Sequence, residues 1–77
     1  MAQYELSSVP FMGDQEPPFA IVTTDDNDVP VSIKHDPSAD AQGQQLADEL
    51  IANFTNDPSS FPLGRLALSY GGLKKIG

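Results

Sequence analysis

Leu46, Ala47, Leu50, Ile51 and Phe54 recur at the helical period and form one apolar stripe, the clearest pattern in the chain. Ala39 and Gly43 continue the stripe toward the N-terminus. Small residues there let a helix approach a neighbouring layer closely, although Gly43 costs about 1 kcal/mol against alanine. Gln42, Gln45, Asp48, Glu49 and Asn53 fall off the stripe and belong to the solvated side. Asp36 is placed to cap the helix with Pro37 at the first position, Ser38 being a rival cap. Asn56 or the Asp57-Pro58 step ends it. A helix with one apolar stripe must lay it on a facing layer, and the remaining apolar residues have to build that layer.

They do so as short alternating runs. Tyr4 and Leu6 alternate with Gln3, Glu5 and Ser7, which predicts a strand over about residues 2–9, stopped by Pro10. Residues 10–18 hold Pro10, Gly13, Pro17 and Pro18 and read as an irregular proline-rich loop. Phe19 to Thr24 is rich in β-branched residues and reads as a second strand, with Phe19, Ile21 and Thr23 on one face. Asp25-Asp26-Asn27-Asp28 is a turn, because short polar side chains bond to nearby backbone. Val29 to His35 then returns as a third strand with Val29, Val31, Ile33 and His35 on one face, starting late or lying on an edge because of Pro30. After the helix, Leu66, Leu68 and Tyr70 alternate with Arg65, Ala67 and Ser69, which predicts a fourth strand. Gly71-Gly72 suits a hairpin turn, with residues 71–77 holding a return strand or a flexible tail. The expected architecture is a single small α+β domain over residues 1–77. It has an antiparallel sheet of three to five strands with one helix across one face, in the order βββαβ(β).

A chain of 77 residues builds only a small core, and without cysteine it has neither disulfides nor a thiolate site. His35 is the one nitrogen ligand, so no zinc site is expected and no cofactor is implied. The acidic turn lacks the glycine and glutamate positions of an EF-hand loop. His35 and Asp36 are adjacent, and adjacent residues at a strand end point apart, so they do not suggest a catalytic triad. No phosphate-binding glycine pattern occurs. Asn53-Phe54-Thr55 matches a glycosylation sequon, but Phe54 belongs to the apolar stripe. The expectation is a protein without enzymatic activity.

Charge is the remaining functional signal. The net charge is −7, and all 11 acidic residues precede Arg65 with Lys34 as their one basic companion. Arg65, Lys74 and Lys75 follow with no acid among them. The acidic body argues against direct binding to nucleic acid or to an anionic membrane, and no apolar run is long enough to span a bilayer. The first residues lack the basic and apolar regions of a secretory signal, so a cytoplasmic location is expected.

Two partner classes fit this asymmetry. In the first, Asp25, Asp26 and Asp28 on the turn, with Asp36 and Asp40 at the helix start, present carboxylates to a protein with a basic surface. Such a chain acts as a nucleic-acid mimic that inhibits or regulates its partner. Inhibitors made by phages and mobile elements against host nucleic-acid-binding or defence complexes share this size and charge, and host cytoplasm would then be the site of action. In the second, the chain is a small virion or assembly subunit, a cement or capsid-associated protein. Phe11 and Met12 in the loop, with Arg65, Lys74 and Lys75, then form a second contact, and copies associate as homo-oligomers.

Overall fold

The computed structural model describes residues 1–8 and 18–77. Its elements are β1 (Ala2–Ser8), β2 (Ala20–Thr24), β3 (Pro30–His35), α1 (Ala41–Asn56), a 3₁₀ turn (Pro58–Ser60), α2 (Leu63–Tyr70) and β4 (Gly71–Lys75). The four strands form one antiparallel sheet in the order β3-β2-β1-β4. The α+β architecture expected from the sequence is therefore present, with two helices rather than one. Phe11, Met12 and most of the proline-rich loop lie outside the described residues.

Register explains which side chains meet. Leu6 faces Ala20 on one side and Leu73 on the other, while Tyr4 faces Val22, which in turn faces Ile33. These rows share a face and supply much of the core, which Phe19, Ala47, Leu50, Phe54 and Leu66 complete. On β2 the buried positions are Ala20, Val22 and Thr24, so the inward face is the opposite of the one carrying Ile21 and Thr23. Phe19 precedes the strand and is nevertheless fully buried. It packs edge to face on Tyr70.

Three sequence expectations are corrected. Residues 65–70 are helical, not a strand. Leu66 and Tyr70 satisfy an alternating pattern and a helical one equally; Leu63, one turn earlier, completes the helical stripe. Leu68 decides between the two readings, and at 88 % exposure it faces solvent. Gly71-Gly72 is accordingly no hairpin turn. Gly71 adopts φ 86°, the left-handed conformation that a side chain would resist, and its N–H bonds to Ala67 C=O to stop α2. The chain then enters β4 directly, and β4 pairs with β1. Lastly, α1 begins at Ala41, capped by Asp40, whose side chain accepts the Gly43 N–H at 2.7 Å. Asp36 instead extends the β2–β3 pairing through its N–H to Phe19 C=O at 3.1 Å, and its side chain and C=O accept the Ser38 and Ala39 N–H groups in a turn that precedes the helix.

The path between the two sheet edges sets the second layer. β3 and β4 are outermost on opposite sides, so the intervening chain must cross β2 and β1. α1 packs beside β3 and α2 beside β1 and β4, together covering the apolar face. Gly43 permits this approach: a Cβ there would lie 3.0 Å from the Phe19 Cβ. Pro30 begins β3 and the register shifts opposite it at Thr23/Thr24, which breaks the regular alternation expected along Val29–His35.

Candidate functional site

Three clusters contain the charged residues singled out in the sequence. The first is the β2–β3 turn. Asp25 Oδ1 accepts the N–H groups of Asn27 and Val29 at 2.8 and 2.9 Å, so its carboxylate shapes the turn. Asp28 sits at φ 60°, a left-handed position that aspartate tolerates better than most residues. Tyr4 Oη donates to Asp28 at 3.4 Å, and burial together with Asp28 raises the Tyr4 phenol above its ordinary pKa. The N-terminal ammonium pairs with Asp26 at 3.3 Å, with both groups well exposed. Beside these carboxylates Val29 and Val31 are 52 % and 49 % exposed, so the hairpin presents apolar surface next to its charge.

The second cluster lies where β3 gives way to α1. His35, Asp36, Pro37 and Gln44 line an open cleft of about 370 Å³. His35 Nε2 approaches Asp48 Oδ1 at 2.5 Å; the contact is an ion pair when the imidazole is protonated and a hydrogen bond when it is neutral with the proton on Nε2. Asp40 is exposed but committed to the Gly43 N–H. Asp36 is only 5 % exposed, with Oδ1 accepting the Ser38 N–H, so its carboxylate faces the interior rather than a partner.

The third group is basic and is divided between two elements, Arg65 on α2 and Lys74 and Lys75 on β4. Arg65 Nη1 donates to Ser60 C=O at 2.7 Å and its guanidinium lies 5.4 Å from the centre of the Phe61 ring. Lys74 stands opposite Glu5 and Lys75 opposite Tyr4 on the outer strand β4.

The five acidic candidates therefore do not form one surface. The Asp25–Asp28 turn and the Asp36–Asp40 segment lie at opposite ends of β3, whose six residues span about 20 Å. Asp48 joins His35 from 13 residues away, a pairing that becomes visible only once α1 is docked on β3. Val29 and Val31 join the acidic turn because the register shift and the edge position of β3 expose them. Among the described residues no three His, Asp or Glu side chains converge as metal ligands, and no helix is long and apolar enough to cross a membrane.

Comparisons with protein-family models, curated proteins and solved structures returned no significant match.

Proposed function

We propose that the chain is a non-enzymatic acidic interaction protein that docks the β2–β3 hairpin tip on the basic surface of a protein partner and so inhibits or regulates it. The observation that carries this reading is the placement of exposed Asp26 and Asp28 beside exposed Val29 and Val31. Carboxylates on a projecting turn attract arginine and lysine and speed encounter, while neighbouring valines supply the apolar contact that slows dissociation. A partner that otherwise binds nucleic acid has the matching basic surface, and in that case the carboxylates replace phosphates. A host nucleic-acid-binding or defence complex is the target class this reading favours, with the chain acting as a phage or mobile-element inhibitor.

The test begins by naming the partner through native mass spectrometry of affinity-purified assemblies. Its affinity is then measured for the wild type and for Asp26→Asn/Asp28→Asn, which leaves the turn-forming Asp25 intact. About tenfold weaker binding with a shallower salt dependence is expected. Equal affinity in both proteins would overturn the hairpin-tip assignment.

A second reading, as an assembly subunit, draws on the opposite placement of charge across the sheet. The acidic turn belongs to the β3 edge and Lys74 and Lys75 to the β4 edge, an arrangement suited to head-to-tail contact between copies. Sedimentation velocity on Lys74→Glu/Lys75→Glu tests it. Loss of a wild-type oligomer supports this reading, and a wild type that stays monomeric at high concentration counts against it.

A further inference from the structure

β3 is an outer strand, with β2 on one side and, among the described residues, no strand on the other. Asp36, directly after it, donates its N–H to Phe19 C=O, and backbone groups along an antiparallel strand point to alternate sides. The N–H and C=O groups of Lys34 and Ser32 therefore face β2, and those of Ile33 and His35 face outward. Among the described residues no turn or loop backbone bonds to these outward groups. Unpaired backbone along an edge is a template for a further strand.

The two edges of the sheet differ in what surrounds them. β4 begins on two glycines and carries Lys74 and Lys75, so its charge repels a basic chain. β3 has carboxylates at both ends: exposed Asp26 and Asp28 precede it, and Asp48 meets His35 at its close. Exposed Val31 lies between them. The devices that blunt an edge are confined to the start of β3, where Pro30 lacks an N–H and the register shifts at Thr23/Thr24. No proline follows from Val31 to His35. Lys34 belongs to the row Lys34–Ile21–Glu5 on the sheet face away from the helices, opposite the side toward which His35 turns to reach Asp48 of α1.

We infer that the outer edge of β3 receives an extended, basic segment of the partner, which adds to the sheet as a further strand. The inference rests on the reading of a basic partner and gives that contact its form. Main-chain groups of the added segment pair with those of Ile33 and His35, and its side chains point alternately to the two faces. Apolar side chains on the segment cover Val31, while arginine or lysine near its ends reach Asp26 and Asp28 on one side and Asp48 on the other. An extended chain reaches both acidic groups because β3 itself spans the roughly 20 Å between them. Arginine gains most, since its fork bonds a carboxylate through two N–H groups.

A capped peptide of about seven alternating arginine and valine residues, matched to the length of β3, is the probe. Amide hydrogen exchange in the full chain, followed by NMR, is expected to slow about tenfold at Ile33 and His35 when the peptide saturates it. Lys34, whose N–H faces β2, provides the internal reference. A peptide N-methylated throughout, or one with glutamate in place of arginine, should leave exchange unchanged. Equal protection by the arginine and glutamate peptides would overturn the basic character of the segment. Shifted Asp26 and Asp28 resonances with unchanged exchange at Ile33 and His35 would overturn strand addition and leave the hairpin-tip reading intact. Failure of the arginine peptide to bind would also overturn the inference; the tip reading is decided separately, by the native partner's affinity for Asp26→Asn/Asp28→Asn.

Discussion

Phe19 meets Tyr70 edge to face, with ring centroids 5.1 Å apart and planes inclined by 63°, a contact that joins the start of β2 to the end of α2. Phe19 also backs Gly43 of α1, so one residue at the start of the inner strand β2 meets both helices. Burial, followed by the nearby Glu49 charge, raises the Tyr70 phenol above its ordinary value. The two-helix layer is pinned at this point.

Phe19→Ala should therefore lower unfolding free energy by about 3–5 kcal/mol, because a large buried ring leaves a cavity bounded by three elements. A double-mutant cycle with Tyr70→Leu should return a coupling of about 0.5–1.5 kcal/mol for the aromatic pair. Urea unfolding with an unchanged slope provides both numbers. Additive losses would show that the ring geometry contributes nothing beyond burial.

The two helical glycines should respond oppositely to alanine. At Gly43 a Cβ would meet Phe19 Cβ at 3.0 Å and Ala39 Cβ at 3.3 Å, so Gly43→Ala should destabilise despite its better helix propensity. At Gly64 nothing lies within 4 Å, and Gly64→Ala should stabilise by about 0.5–1 kcal/mol. Thermal unfolding of the pair separates close packing from propensity, since propensity alone would move both variants upward.

Asp40→Ala should cost about 1 kcal/mol and Asp40→Asn much less, because either oxygen-bearing side chain accepts the Gly43 N–H. Far-ultraviolet circular dichroism during denaturation would record the difference. Equal losses in the two variants would mean that the charge, rather than the cap bond, is what matters.

Acid should weaken the junction between α1 and α2. Ser60 and Ser59 hydroxyls donate to Asp57, and these bonds, with the Arg65 charge, hold its carboxyl below the ordinary range. A depressed folded-state pKa contributes stability above the unfolded value that is lost as pH falls through the folded one. Asp57→Asn should flatten that part of the acid limb in a series of denaturant midpoints. An unchanged limb would show that these hydroxyl bonds do not persist in solution.

Local chemistry was enough to recover much of the fold. The β2–β3 hairpin follows from a polar turn between β-branched runs, and α1 follows from a stripe of five apolar residues that no strand could bury on one face. The C-terminal quarter was misread for a physical reason: over six residues, Leu66 and Tyr70 fit both periods. Leu63 and the left-handed Gly71 settle the matter only once the chain's route across the sheet is known. Burial of Phe19 was equally hidden, because it depends on α2 being a helix whose last residue reaches back to it.

For the candidate site, residue type and neighbour order revealed the acidic turn and the basic end, since charge is a property of composition and of position along the chain. Which carboxylates act together was a matter of packing. Asp26 and Asp28 are exposed at one end of β3, while Asp36, the residue directly after the other end, is buried and accepts the Ser38 N–H. Whether a carboxylate is a contact or a buried partner depends on what the fold places against it, and neighbours along the chain do not carry that information.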